Sequence, residues 1–313
     1  MTRIRQLLRN VIVLDLLLLL VGIGWGYTFV VAKFLIVAFP VLLFLGTRFL
    51  IAGCALGAAI WPRMKGQLTR HELKHGAIAG IFLAAAYSLQ TFGLLRTAPG
   101  LTAMLTELTT VMTPFAYFIT SRQPIAKAAI VGTLMAFSGA ALMQWNGHQF
   151  SPGIGDLLVL LCDAAFVAHL LYVDRFVEAL HTWWFIVVQF VVVGVICLAL
   201  GWGHESFPHH LTSFQWFAYA FELIFGTLLA YLVQIFAQRV TDPTHVVVVM
   251  SVEGPFAMFF SWLQWGESIT WLKSVGAIIV FGAVLVTELW DRKGKPASTP
   301  LPASNPPPAQ EPL

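Results

Sequence analysis

The sequence predicts an all-helical integral membrane protein with ten transmembrane helices, arranged as two five-helix repeats of opposite orientation. Three observations lead to this fold class. Hydrophobic residues make up 58% of the 313 residues and charged residues only 11%, whereas a soluble domain carries about 25% charged residues. Long apolar runs recur along the chain, and its two halves resemble each other. The mean hydropathy of +0.80 excludes an ordinary soluble enzyme.

Ten apolar runs predict ten spanning helices. A membrane helix needs about 20 apolar residues, and only helices or closed barrels satisfy their backbone groups in lipid. Continuous apolar runs of this length exclude barrel strands, which alternate in polarity. Little of the chain is left over for a soluble catalytic domain. The runs cover residues 11–32, 39–61, 75–95, 100–120, 126–145, 154–174, 182–200, 214–237, 244–265 and 271–290.

Basic residues set the predicted orientation. If the N-terminus is cytoplasmic, fourteen of the eighteen basic residues fall inside, three fall outside, and Arg48 lies within a span. The positive-inside rule therefore places both termini on the cytoplasmic side. The predicted location is a bacterial inner (cell) membrane. Residues 1–10 form the N-terminal segment, and residues 291–313, rich in proline, form a disordered tail. The basic residues form no continuous face, so nucleic acid is not an expected partner.

Internal similarity divides the chain into residues 11–145 and residues 154–290. Residues 114–116 and 255–257 both read Pro-Phe-Ala, and residues 14–20 resemble residues 155–161 at the same offset of 141. Residues 87–90 and 231–234 both read Tyr-x-x-Gln at the similar offset of 144. Leucine-rich matches alone follow from composition, but polar and proline matches in a consistent order indicate duplication.

Five helices per repeat is an odd number, so the second repeat enters the membrane from the opposite side. Many secondary transporters are built from inverted repeats, because exchanging the conformations of the two halves converts an inward-open cavity into an outward-open one. The sequence therefore predicts alternating-access transport of a small-molecule substrate across the lipid bilayer. It has no Walker A motif, so transport driven directly by ATP is not expected.

Several motifs, in their order and spacing across residues 10–290, resemble the EamA-type drug/metabolite transporter superfamily. The resemblance implies a central cavity lined mainly by the first, third, fourth, sixth, eighth and ninth helices, with the fifth and tenth more peripheral. It also implies export of small metabolites, often amino acids or related compounds. The motifs are Trp25-Gly26-x-x-Phe29-Val30, Arg48-Phe49-Leu50, Gly155-Asp156-Leu157-Leu158, Gly226-Thr227-x-x-Ala230-Tyr231, Glu253-x-Pro255 and Gly266-Glu267.

Four ionisable residues lie at predicted membrane depth, where charge is costly and commonly functional. Asp163 and Glu253 lie about 14 Å into their helices, and Arg48 and Glu107 lie nearer one side. Acids outnumber bases there, so Asp163 or Glu253 is a candidate for proton coupling or for pairing with a cationic or zwitterionic substrate. The alternative is a structural pair of Arg48 with Glu107 or Glu253, and a structural role is favoured for Arg48. Phosphorylated sugars would require more basic residues.

Aromatic and polar residues of the predicted cavity helices complete the candidate site. Lipid-facing or packing roles remain the alternative for the aromatic residues. Pro114 and Pro255 are predicted mid-helix, as hinges or static kinks, while Gly53-x-x-x-Gly57 and Gly76-x-x-x-Gly80 predict close helix packing. The predicted substrate-binding residues are Trp25, Thr28, Tyr87, Gln90, Glu107, Asp163, Tyr231, Gln234 and Glu253.

One motif favours a different class of protein. His71, Glu72 and His75 match the H-E-x-x-H pattern, in which two histidines hold zinc and the glutamate acts as a base. A membrane metalloprotease is therefore the alternative function. The motif lies in a basic connection without an evident third zinc ligand, so no metal, cofactor or enzymatic activity is expected. A passive channel is a third possibility, distinguished by flux that does not saturate.

Overall fold

The computed structural model describes residues 11–121, 127–143, 145, 152–177, 180–239, 246 and 249–292. These residues are almost entirely helical and include no β-strand. Six of the helices are long and apolar enough to cross a membrane, and two more contain shorter apolar stretches. The predicted N-terminal segment and the tail beyond residue 292 lie outside the described residues. The all-helical fold class and a membrane-type composition are therefore confirmed.

The helices are numbered here by the predicted spans to which they correspond. Three of them are not continuous α-helices: α4 is interrupted at Glu107, α8 contains a π-helical segment, and α9 ends in one. The bounds are α1 Val11–Ile36, α2 Val41–Met64, α3 Arg70–Leu94, α4 Pro99–Thr106 and Leu108–Ser121, α5 Lys127–Met143, α6 Ile154–Phe176, α7 Thr182–Gly201, α8 Ser213–Leu223, Ile224–Leu229 and Ala230–Gln238, α9 Glu253–Phe260 and Ser261–Trp265, and α10 Trp271–Arg292.

Local sequence signals explain where several helices begin. Thr69 and Glu72 form a reciprocal capping box at the start of α3, and Thr212 and Gln215 form one at the start of α8. Each box satisfies backbone N–H groups that have no partner within the helix. Pro99 occupies the first turn of α4, where its missing N–H removes no helical hydrogen bond. The boundary between α3 and α4 is therefore encoded by the short turn before this proline.

Small residues bring α2, α3 and α7 into close contact. A Cβ atom added at Gly53 would lie 2.9 Å from Val191 Cγ2, and one added at Gly80 would lie 2.8 Å from Val192 Cβ. A Cβ atom at Gly194 would lie 2.7 Å from the Leu50 backbone nitrogen. The predicted glycine patterns therefore serve packing, because side chains would keep these backbones apart. The register of the contacts makes α2 antiparallel to α7, and α3 parallel to it.

Helices α5 and α10 pack mainly on each other. Gly139 and Gly276 face each other, and a Cβ atom at either would lie within 2.7 Å of the other's carbonyl oxygen. Large apolar side chains point outward elsewhere, including Ile119, which is 72% exposed, and Ile278, which is 71% exposed. A soluble monomer rarely exposes so much apolar surface, so this outer surface suits lipid.

Pro255 does not lie in mid-helix as predicted. Residues 251 and 252 form a turn, and the helical segment begins at Glu253, which places Pro255 in its first turn. The first-turn N–H groups of a helix lack intrahelical partners in any case, so proline removes little there. Pro114 lies within the Leu108–Ser121 segment, as the sequence predicts.

Candidate functional site

A cavity of about 120 Å³ lies between the helices. Its walls come from α1, α3, α4, α6, α8 and α9, as the resemblance implies, and also from α2 through Phe44 and Arg48. Eight of the nine predicted substrate-binding residues line it, namely Trp25, Thr28, Tyr87, Gln90, Glu107, Tyr231, Gln234 and Glu253.

Arg48 forms a buried ion pair in the cavity wall, with Glu222 of α8. Its Nη1 atom lies 2.7 Å from Glu222 Oε2, and the two side chains are 5% and 1% exposed. The predicted pairing of Arg48 with Glu107 or Glu253 is therefore wrong. The sequence does not specify which helix faces meet, and the α2–α8 contact brings Glu222 to the guanidinium.

Glu222 was missed as a candidate in the sequence, although a signal for it exists. It interrupts the apolar run 214–237 nine residues after Ser213, about 14 Å into the helix. This is the depth that singles out Asp163 and Glu253. Its second carboxylate oxygen, Oε1, is buried and has no hydrogen-bond partner among the described residues.

The π-helical segment of α8 shapes the wall around the ion pair. Thr227 Oγ1 donates to the Glu222 carbonyl oxygen at 2.9 Å, and Trp25 Nε1 donates to the Gly226 carbonyl oxygen at 3.1 Å. A Cβ atom at Gly226 would lie 2.9 Å from Glu222 Oε2 and 3.0 Å from Thr28 Cγ2. A side chain at this position would have to displace Glu222, Thr28 or Arg48, which converge on it. Such π-helical turns occur frequently at functional sites.

Glu107 and Glu253 lie where the two discontinuous helices α4 and α9 meet. Gly254 N donates to Glu107 Oε1 at 2.9 Å, so the carboxylate of one half caps the helical segment of the other. Glu253 is partly exposed to the cavity. Its carboxylate forms no hydrogen bond or ion pair within the described part of the chain.

Asp163 lies outside the cavity lining, behind α4. Its side chain is fully buried, and Thr109 Oγ1, from a residue that lines the cavity, donates to Asp163 Oδ1 at 3.1 Å. Asp163 Oδ2 is buried and has no partner among the residues described. Of the predicted acids, Asp163 is therefore the one that reaches the cavity only through another residue.

Aromatic rings form the apolar wall of the cavity. Tyr231 lies 5.8 Å from Trp25 and 6.2 Å from Tyr87, measured between ring centroids. His169, two turns along α6 from Asp163, pairs with Gln189 at 2.9 Å. Both Tyr-x-x-Gln pairs reach the cavity, because positions three apart share one helix face. Gln234 Oε1 is buried without a partner in the described residues.

The H-E-x-x-H motif serves helix capping and packing, so the metalloprotease alternative is not supported. Glu72 Oε2 accepts from Thr69 N at 3.0 Å, and its Oε1 accepts from His181 N at 3.2 Å. His75 Nδ1 lies 2.7 Å from the Tyr172 hydroxyl. Within the described ranges, no group of three metal-ligating side chains is suitable for a metal ion.

A second polar cluster, the outer hub, surrounds the turn between α3 and α4. Lys33, predicted in an outer loop, is buried and donates to the carbonyl oxygens of Leu94 at 2.5 Å and Thr97 at 3.1 Å. Glu267 Oε2 accepts from Gly100 N at 3.0 Å and from Ser261 Oγ at 2.7 Å. Its Oε1 lies 3.0 Å from Lys273 Nζ. The hub, which comprises Lys33, Leu94, Thr97, Gly100, Ser261, Glu267 and Lys273, joins α1, α3, α4, α9 and α10.

Comparison with known proteins identifies the family. The profile of the EamA-like transporter family matches twice, over residues 13–145 and 153–289. An uncharacterized transporter of Archaeoglobus fulgidus is 26% identical over 280 residues, covering 88% of this chain and 85% of that protein. The uncharacterized transporter YvbV of Bacillus subtilis is 26% identical over 213 residues, covering 65% and 66%.

A solved crystal structure shares the fold of this chain. Its TM-score is 0.69 over 90% of this chain and 99% of that chain, at 16% identity. Identity this low establishes the fold alone, whereas the family follows from the two profile matches, which together span most of the sequence. The protein is a multi-pass membrane transporter and not an enzyme, and it belongs to the EamA-like transporter family.

Proposed function

We propose that the protein is a secondary transporter that exports small polar or amphipathic metabolites, such as amino acids or related compounds, by alternating access. The observation that carries the proposal is the central cavity, in which Glu107, Tyr87 and Gln90 of one half face Glu253, Tyr231 and Gln234 of the other. Aromatic area combined with a few hydrogen-bonding groups suits such a substrate.

The repeat architecture supports alternating access. We take residues 11–145 and 154–290 as two inverted repeats of five spans each. In support, α2 contacts α7, α4 contacts α9 and α5 contacts α10, and each of these pairs joins a helix to its counterpart five spans later. A two-fold axis between inverted repeats brings counterparts together in this way. The cavity would then open to either side as the halves exchange conformations.

The proposed setting is a bacterial inner membrane with both termini in the cytoplasm. The distribution of basic residues supports this orientation. The helix directions agree with it: α1 and α9, both proposed to run outward, are parallel, since Gly22 meets Met250 and Gly26 meets Glu253 and Ala257. Helices α2 and α7, proposed to run in opposite directions, are antiparallel.

The charge of the cavity supports a cationic or zwitterionic substrate. Arg48 is balanced by Glu222, which leaves Glu107 and Glu253 as surplus acids on the cavity wall. A substrate ammonium group would lie against Glu253, because Glu107 already accepts a hydrogen bond from Gly254. Glu253, or Asp163 acting through Thr109, would exchange a proton when the substrate leaves, coupling transport to a proton gradient.

Reconstitution tests the proposal directly. We would measure uptake of a labelled metabolite panel, including amino acids, polyamines and sugar phosphates, into proteoliposomes with and without a pH gradient. We expect saturable uptake of at least one amino-acid-like solute. Tyr231→Ala should reduce this uptake because Tyr231 contacts the other cavity aromatics, whereas the matched control Leu134→Ala, on the outer surface, should not.

Three results would contradict parts of the proposal. Flux that never saturates with concentration would indicate a channel. Preferred transport of sugar phosphates would contradict the substrate class. Indifference of an identified substrate to the pH gradient would remove proton coupling while leaving alternating access intact.

A further inference from the structure

The carboxylates of the described residues differ in how their oxygens are used. Outside the cavity, Glu72, Asp156, Glu205 and Glu267 each accept hydrogen bonds on both oxygens, whereas Asp163 leaves its Oδ2 atom unpartnered among these residues. Glu222, in the cavity wall, uses one oxygen to hold Arg48 and leaves the other buried and unpartnered among the described residues. Buried polar atoms are usually paired when their role is structural. The Arg48–Glu222 pair is therefore bonded differently from the structural carboxylates.

Arg48 is held in place by groups other than Glu222. Its Nε donates to Thr227 Oγ1 at 2.5 Å and its Nη2 donates to the Gly226 carbonyl oxygen at 3.2 Å. Aromatic rings surround the guanidinium, whose central carbon lies 5.2 to 5.5 Å from their centroids, a distance typical of cation–π contacts. The guanidinium would thus keep its orientation without the glutamate. The rings belong to Phe44, Phe49 and Tyr87.

The contact between Arg48 and Glu222 is monodentate, through Nη1 and Oε2. Guanidinium groups bind planar carboxylates best in a two-point fork. We propose that Arg48 is the carboxylate-binding group of the cavity, and that Glu222 occupies it until a substrate carboxylate takes its place. This inference rests on the proposed function, and it adds a carboxylate to the features required of the substrate.

Displacement leaves Glu222 without its cation, in a wall where an unpaired carboxylate is strongly unfavourable. Glu222 therefore takes up one proton from the water of the cavity as the substrate carboxylate binds Arg48. Of the other titratable groups there, only His169 is basic, and it is already paired with Gln189; α1 contributes Trp25 and Thr28, which do not titrate. Besides the Arg48–Glu222 pair, the titratable groups that line the cavity are Tyr87 of α3, Glu107 of α4, His169 of α6, Tyr231 of α8 and Glu253 of α9.

The test uses purified full-length protein in detergent, with phenylacetate and its uncharged isostere phenylacetamide as probes. Their affinities would be measured by calorimetry from about pH 6 to about pH 8, a range in which phenylacetate stays ionised. The variants are Glu222→Gln and Arg48→Gln, with Arg48→Lys as a second choice if Arg48→Gln does not fold. The matched control is Glu205→Gln, which removes a carboxylate that binds only the α2 backbone and lies outside the cavity.

For the wild type, we expect the acid to bind about tenfold more tightly than the amide, since one charge-assisted hydrogen bond supplies this difference. The affinity for the acid should fall by up to about tenfold per pH unit, because each bound acid brings one proton. Glu222→Gln should abolish this pH dependence and strengthen acid binding at the higher pH. Arg48→Gln should bind acid and amide alike, and Arg48→Lys should show a reduced preference. Glu205→Gln should match the wild type.

A wild type without preference for the acid, or a Glu222→Gln variant that keeps the full pH dependence, would overturn the inference. Binding is measured without transport, so the two proposals fail separately. The expected binding pattern with no flux in proteoliposomes would contradict only the transport proposal. Saturable transport by a protein that does not distinguish acid from amide would contradict only the role of Arg48.

Discussion

Glu253 is the cavity carboxylate most free to interact with a ligand. It is partly exposed to the cavity and has no hydrogen bond or ion pair within the described residues, whereas Glu107 caps Gly254. We expect Glu253→Gln to weaken the response of transport to a pH gradient, with the remainder due to Glu222, while transport down the substrate gradient continues. The measurement is proteoliposome flux with the pH inside and outside set independently.

Two variants complete this experiment. Asp163→Asn should weaken the response less than Glu253→Gln does, because Asp163 reaches the cavity only through Thr109. Glu205→Gln should respond like the wild type. If Glu253→Gln retained the full response, coupling would not reside at Glu253, and Glu222 would become the next carboxylate to test.

Gly226 is the residue at which the smallest change should have a large effect. A Cβ atom there would lie 2.9 Å from Glu222 Oε2 and 3.3 Å from Arg48 Nη2. We expect Gly226→Ala to lower the free energy of unfolding by about 1 to 3 kcal/mol through overpacking, and to abolish transport by displacing the ion pair. Thermal denaturation in detergent and flux measurements check the two effects. Gly66→Ala, where a methyl group meets nothing within 4 Å, should change neither, and an active Gly226→Ala variant would contradict the prediction.

For individual residues, the position of a charged residue within a predicted span indicates whether it is near the cavity better than it indicates its partner. Arg48, Glu107 and Glu253 were found because charge is rare within apolar runs, and Glu222 satisfies the same criterion. The Arg48–Glu222 pair could not be predicted, because it depends on how α2 and α8 are rotated against each other. The position of Lys33 predicts an outer loop, but α1 continues to Ile36 and Lys33 is buried.

For the helices, close contacts at glycine residues determine how tightly neighbouring helices pack. At Gly194 of α7, an added Cβ atom would meet backbone as well as side-chain atoms of Leu50 on α2 at 2.7 to 2.8 Å. Backbone cannot rotate away, so we expect Gly194→Ala to lower the free energy of unfolding by about 1 to 3 kcal/mol. Thermal denaturation in detergent measures this loss.

The control for this prediction is Gly57→Ala on the same interface. Its added Cβ atom would come no closer than 3.3 Å to Val187 Cγ1, at the end of a side chain. Gly57→Ala should therefore cause a clearly smaller loss. Equal losses for the two variants would mean that the α2–α7 contact tolerates adjustment and does not constrain the fold.

The apolar runs predicted the helices well but not their interruptions. Runs 11–32, 154–174 and 271–290 correspond to α1, α6 and α10, because lipid requires a continuous helix of about that length. The break at Glu107 and the π-helical segments Ile224–Leu229 and Ser261–Trp265 have no such signal. They depend on tertiary hydrogen bonds, such as those of the Gly226 carbonyl oxygen with Trp25 and Arg48, which a single chain segment does not reveal.

For the whole molecule, we expect the outer hub to hold the external side of the cavity closed. Glu267 alone connects the start of α4, the end of α9 and the start of α10, through Gly100, Ser261 and Lys273. Lys33 adds α1 by binding the carbonyl oxygens at the end of α3. In the proposed orientation this hub lies on the external side. Alternating access then requires its bonds to break each time the cavity opens outward.

Glu267→Gln should favour the outward-open state, because an amide cannot accept at both oxygen positions or pair with Lys273. We would place a cysteine at Thr91, which lines the cavity, in a Cys54→Ala background, since Cys54 is the exposed native cysteine. We expect a membrane-impermeant thiol reagent added outside to label the Thr91→Cys protein several-fold faster when it also carries Glu267→Gln. The control Glu205→Gln should not change the rate, because the Glu205 carboxylate binds only the backbone of α2. Equal labelling rates in the Glu267→Gln and parent proteins would mean that the hub stabilises the fold without gating the cavity.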